Sequence, residues 1–167
     1  MMSPKPFAAT LLAALALLAF APAALAAADC TVASSTLAFG NYDVLAAAPT
    51  DSTTTITVIC VRNPPPGTET VSYTLTLSVG GGTYANRTMS NGANTIGYNL
   101  YTSPSMTPAT IWGDGTGATT VVAASLLPLN GQNRIRIASH TIYGRIPARQ
   151  DVRVGTYTGS VVLTMNY

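Results

Sequence analysis

Side chains that alternate with a period of two constrain this chain more than any other feature of it. Ser72, Thr74, Thr76 and Ser78 are interleaved with Tyr73, Leu75, Leu77 and Val79. In an extended strand successive side chains point to opposite faces, so this run gives one hydroxyl face and one apolar face. Ile56, Val58 and Cys60 alternate with Thr55, Thr57 and Ile59 within the threonine-rich stretch Thr53 to Cys60. Ile96, Tyr98 and Leu100 repeat the pattern. Ile135 and Ile137 alternate with Arg134 and Arg136, and His140, Ile142, Gly144 and Ile146 form a further face. The longest run, Tyr157, Gly159, Val161, Leu163, Met165 and Tyr167, predicts one strand reaching the last residue. A helical period of 3.6 is absent after the first residues.

Turn formers separate the runs: Pro64-Pro65-Pro66-Gly67, Gly80-Gly81-Gly82 as a hairpin tip, Asn91-Gly92, Asp114-Gly115 and Asn130-Gly131. Short β-branched and aromatic strands between regular turns predict an all-β sandwich or barrel in a single domain. The first strand changes phase, from Cys30 and Val32 to Leu37 and Phe39. A bulge or strand switch near Ser34-Ser35 is therefore expected.

The first residues set the compartment. Lys5 precedes an apolar run from Ala8 to Ala21, and Ala24-Leu25-Ala26 supplies small residues before a cleavage point. That order is a secretory signal peptide over 1–26, with 27–167 as the exported domain. Cys30 follows Asp29, the wrong neighbour for lipid attachment. In an oxidising compartment the two cysteines, Cys30 and Cys60, read as a disulfide. Closing a ring of this size removes roughly 3–4 kcal/mol of unfolded-state entropy. Lys5 is the single lysine, which leaves seven arginines against six acids. So even a balance, spread along the chain, gives no footprint for nucleic acid or an anionic membrane.

Catalytic chemistry is not legible. His140 is the one histidine and lies in an apolar strand face, where a packed histidine is expected rather than a general base. The acids Asp29, Asp43, Asp51, Glu69, Asp114 and Asp151 are scattered, without a clustered metal-ligand set. No cofactor and no enzymatic activity are expected. Asn86-Arg87-Thr88 matches a short glycosylation sequon that carries little weight. Trp112, before Gly113-Asp114-Gly115, offers two readings: a plug at the end of the core, or, with Asp114, a loop-tip contact for a surface or glycan.

Taken in order, these pieces resemble the spore coat protein U family, which includes subunits of archaic chaperone–usher pili. The resemblance rests on Cys30-Thr31-Val32, Phe39-Gly40-Asn41-Tyr42, the strand ending at Cys60, Tyr73 to Gly80 and Arg87-Thr88-Met89. It continues through Ile96 to Tyr101, Trp112 to Gly115, Tyr143 to Gln150, Gly155-Thr156-Tyr157 and Val161 to Tyr167. It implies an immunoglobulin-like β-sandwich lacking its last strand. It also implies a groove, lined by Val161, Leu163, Met165 and Tyr167, that accepts a strand from a periplasmic chaperone and then from a neighbouring subunit. An outer-membrane usher and other pilus or coat subunits are the implied partners, at the cell surface, in a pilus or spore coat. Two departures are visible. Only Ala27-Ala28-Asp29 would precede Cys30 after cleavage, too short for a donor strand, which suits a tip, a chain end or a non-polymerising coat protein. Gly159 stands where the family pattern leads one to expect an aspartate.

Overall fold

The computed structural model describes residues 28–62, 68–126, 128–130 and 132–167. The expected signal peptide, the Pro64 loop and Gly131 lie outside the described residues. Eight strands follow one another: β1 (Ala28–Ser34), β2 (Thr50–Arg62), β3 (Ser72–Leu77), β4 (Arg87–Asn91), β5 (Asn94–Tyr101), β6 (Val122–Ser125), β7 (Ile135–Ile146) and β8 (Leu163–Asn166). A single 3-10 turn, Pro108–Thr110, interrupts the loop after β5.

The strands form two antiparallel sheets. One has the order β1-β2-β7-β5-β4, and the other β6-β3-β8. Of the sandwich and the barrel that the alternation allows, this is the sandwich, as the family resemblance implies. Its centre is the β2–β7 ladder, which runs unbroken from Thr50↔Ile146 to Val61↔Ile135. Threonine, valine and isoleucine dominate β2, and branching at Cβ suits a pleated surface. Every second residue of β2 points inward, so Ile56, Val58 and Cys60 are buried. Tyr73, Leu75 and Leu77 meet them from the second sheet, with Ile96, Tyr98, Leu100, Ile142 and Ile146 completing the core. Asn91 pairs with Asn94, so Gly92 and Ala93 form a two-residue hairpin between β4 and β5.

Cys30 pairs with Cys60 across the β1–β2 ladder, and the two are disulfide-bonded with Cα atoms 4.0 Å apart. The expected bridge is present, and it staples neighbouring strands of one sheet.

Three local expectations are corrected. Gly80-Gly81-Gly82 is not the tip of a hairpin: β3 and β4 lie in different sheets, and the glycines belong to the passage between them. Ile135 and Ile137 do not face the core but are 56% and 63% exposed. The continuous β7 has one parity, and Ile142, Gly144 and Ile146 on even positions take the inward face. Tyr157 to Tyr167 is not one strand. Thr158 bridges Ser90 of β4, whereas β8 pairs with β3 through Leu163↔Leu77 to Asn166↔Thr74. The chain therefore passes from one sheet to the other between these points.

Candidate functional site: an open seam between the sheets

The phase change after Ser34 builds one wall of the site. β1 ends at Ser34, and the following residues are held near β2 by side chains instead of a backbone ladder. The Thr54 hydroxyl donates to the Ser35 carbonyl, and the Ser52 hydroxyl to the Ala38 carbonyl. Leu37 and Phe39 then turn inward. A Cβ on Gly144 would meet Phe39 Cζ at 2.8 Å and the Leu37 methyls at 3.0 Å, so only glycine lets this wall sit so close to β7. Phe39 meets Tyr98 edge-on, ring centroids 6.0 Å apart.

The last residues build the opposite wall. Val162 is tied to Ser78 by two bonds, its carbonyl accepting from the Ser78 amide and its amide donating to Ser78 Oγ. Between the walls lies a cleft of about 330 Å³, bordered by Ser34 to Leu37 on one side and Gly159 to Val161 and Leu163 on the other. Ile56, Leu77, Leu100, Trp112 and Ile142 form its floor, so the cleft opens directly onto the core. A wider hollow of about 600 Å³ continues it past Phe39 and Gly159 towards Tyr42, Val152 and Tyr157. Wall residues Leu37, Phe39, Val161, Leu163 and Met165 are only partly buried, although all pack against the core. β8 is an outer strand of its sheet, so one row of its backbone N–H and C=O groups lacks a partner strand among the described residues.

Of the four residues expected to line a groove, Val161 and Leu163 border this cleft. Met165 packs on the core farther along β8, and Tyr167 is 59% exposed beside Tyr73, Ala124 and Ser125. Trp112 is 1% exposed, and its indole N–H donates to the Leu75 carbonyl at 3.0 Å. Of its two readings, burial agrees with the plug at the end of the core, and the ring also lies in the floor of the cleft. Asp114 is exposed but engaged locally, its carboxylate accepting from the Thr116 amide and hydroxyl. These bonds hold its carboxyl below the usual aspartate value.

His140 bonds to Tyr73 through Nε2, 2.6 Å from the phenol oxygen, and joins β7 of one sheet to β3 of the other. Burial lowers its pKa. Among the described residues, no group of three His, Cys, Asp or Glu side chains could hold a metal ion.

Two polar devices escaped the sequence reading. Arg87 is wholly buried at the start of β4. Its Nε donates to the Val79 carbonyl, Nη1 to Asn99 Oδ1 at 2.6 Å, and Nη2 to the Ser78 and Trp112 carbonyls. Burial lowers its pKa, yet a guanidinium stays charged, and four acceptors with the Tyr84 ring at 5.1 Å replace its water. The buried, neutral-looking Asn99 in the middle of β5 was the one available hint. Gln150 uses its side-chain amide as a strand would use its backbone. Oε1 accepts from the Gly97 amide at 2.7 Å and Nε2 donates to the Gly97 carbonyl at 2.8 Å. The Tyr42 hydroxyl donates to Pro147 and accepts from the Gln150 amide, joining this clamp to the wall that carries Phe39.

Comparison with known proteins agrees with this architecture. The fold resembles a solved structure described as the CsuC–CsuE chaperone–tip adhesion subunit pre-assembly complex from archaic chaperone-usher Csu pili of Acinetobacter baumannii. The TM-score is 0.54 and the identity 18%, over 84% of this chain and 40% of the matched one. At that identity the likeness concerns the fold, and the chain spans well under half of the matched partner. No curated protein matches the sequence significantly. The Spore Coat Protein U domain profile matches residues 15–164, nearly the whole chain, and the protein belongs to that family.

Proposed function

We propose that this protein is a structural subunit of a chaperone–usher surface assembly, and that the seam between Ser34–Phe39 and Gly159–Leu163 accepts an extended strand from another protein. The observation that carries this reading is the cleft itself, whose floor is the core and whose flank is an unpaired strand edge. An alternating apolar segment laid there would satisfy the β8 backbone and place every second side chain between the sheets. A periplasmic chaperone and a neighbouring subunit are the suppliers of such a segment, and the cell surface is the destination. The Cys30–Cys60 disulfide suits that oxidising route. No enzymatic role is assigned, since the one histidine is spent on Tyr73.

The test is a melting curve of the oxidised, exported chain, alone and with a synthetic alternating apolar peptide. A ligand of the folded state adds about 2.7 kcal/mol at a hundredfold excess over its dissociation constant. The expected outcome is a large rise in Tm that disappears when every second apolar residue of the peptide is replaced by serine. A cooperative melt indifferent to the peptide would mean that the sandwich completes itself, and strand acceptance would be abandoned.

A further inference from the structure

Along the last segment, side chains of one phase pack against the core: Tyr157, Val161, Leu163 and Met165. Gly159 has the same phase, and alternate residues of an extended chain share a face, so it leaves a gap in that row. The gap lies where the cleft meets the wider hollow. Gly159 and Met89 border both spaces, and so do Leu37 and Phe39 of the opposite wall.

Local structure does not call for glycine at this position. Its φ lies outside the left-handed region, so the backbone conformation is open to residues with a side chain. A Cβ would come within 3.1 Å of Met89 Cγ and 3.5 Å of the Thr88 carbonyl oxygen. A methyl group would thus ask Met89 to give by a few tenths of an ångström, which its unbranched side chain can do. What the missing side chain does is keep the neck between the two spaces open.

The neck is apolar and aromatic. Tyr42 and Tyr157 of the far hollow have their hydroxyls engaged, donating to the Pro147 and Arg153 carbonyls, so they offer ring surface. Among the described residues bordering either space, Arg153 is the one that carries a charge, and it is exposed at the far rim.

We propose that Gly159 sets which strands the seam accepts: the incoming segment carries an aromatic ring, phenylalanine in its simplest form, where it passes this glycine. This selectivity rests on the strand acceptance proposed above. An aromatic residue on a neighbouring strand covers the bare backbone of a glycine and restores the packing that the glycine lacks. Here the ring fills the gap in the row, between the Met89 thioether and the Phe39 ring, both favourable neighbours for an aromatic edge. A leucine leaves part of the neck empty, and a charged side chain is desolvated there without a partner.

The experiment is titration calorimetry of the oxidised exported chain with three synthetic alternating apolar peptides. They are identical except for the central inward residue, which is phenylalanine, leucine or alanine. The wild type is expected to bind the phenylalanine peptide about tenfold tighter than the leucine peptide. Gly159→Val should reverse the order and bind the alanine peptide best, because its own side chain then occupies the neck. Gly159→Ala should shift the preference the same way by less, and it serves if valine is too large for the fold. Equal affinity of the wild type for all three peptides would overturn the inference and leave strand acceptance standing. So would a preference for phenylalanine that both substitutions leave unchanged. If none of the peptides binds, strand acceptance itself fails and the selectivity fails with it.

Discussion

The neighbourhood of Arg87 and the seam beside Leu163 belong to one sandwich and share Trp112 and Leu77, yet they are built on opposite terms. Around Arg87 the chain leaves its strands early, and the carbonyls so released all turn to one guanidinium. Irregular backbone is tolerated inside the protein there because each acceptor has found a donor. Along the seam the chain also leaves its ladders, after Ser34 and before Leu163, but no internal group fills the space. The difference shows that the opening is not a general looseness of a small sandwich. The same irregularity is sealed at one place by a buried cation and left open at the other.

Substitution should separate the two regions sharply. The largest effect is expected at Arg87. Arg87→Met removes the donor for three carbonyls, while Asn99 Oδ1 keeps the Leu100 amide, and at about 1–3 kcal/mol for each buried acceptor left unsatisfied, the loss should reach about 3–5 kcal/mol. Denaturant midpoints would measure it, and Arg87→Lys should recover only a part, because an ammonium cannot form the fork. A loss below about 1 kcal/mol would mean that the sealed region is as tolerant as the seam.

The next comparison is between leucines. Leu75 is fully buried on β3, and Leu75→Ala should cost about 2–5 kcal/mol. Leu163 is partly exposed at the cleft, and Leu163→Ala should cost about 1 kcal/mol in the chain alone, since less area is withdrawn from water. With a strand peptide bound, the Leu163 effect should grow, which titration calorimetry of wild type and variant would read. Equal costs in the free chain would show that the seam is closed in solution.

Gly97→Ala gives a smaller, directed effect. A Cβ there would lie 2.7 Å from Asn86 Oδ1 and 3.0 Å from Gln150 Oε1. Displacing the amide clamp should cost about 1–2 kcal/mol and leave the backbone amide of residue 97 faster in hydrogen exchange.

The smallest effect is that of pH. Burial lowers the pKa of His140 below its ordinary 6.5, so the unfolded chain binds the proton more readily. Stability from this group is therefore flat above pH 6.5 and declines as pH falls from there to the folded-state value. His140→Gln should remove that slope, and an unchanged pH profile would assign the slope to other groups.

What the sequence disclosed follows from what a period of two can encode. It identifies inward faces, and so Ile56, Val58 and Cys60, Tyr73, Leu75 and Leu77, and Ile96, Tyr98 and Leu100 were legible as core. It does not say which sheet a strand joins, so the passage of the last segment from Ser90 to β3 was invisible. Nor does it rank two competing faces in one strand. Ile135 and Ile137 read as apolar as Ile142 and Ile146, and only the unbroken β2 ladder decides between them. Val161 and Leu163 were found at the seam because the family resemblance pointed to the last strand. Arg87 and Gln150 were missed as sites because each acts on backbone groups, which carry no residue code.

The disulfide has a mechanical consequence. Because Cys30 and Cys60 are directly opposed near the start of β1, a pull applied ahead of Cys30 is handed through the sulfurs to β2, the longest strand of the molecule. Thr31 to Ser34, and the wall from Ser35 to Phe39 beyond them, lie off that line of tension. A molecule held under traction from that side would thus keep the shape of its seam, with the strain carried by a covalent link and a strand flanked on both sides by β1 and β7.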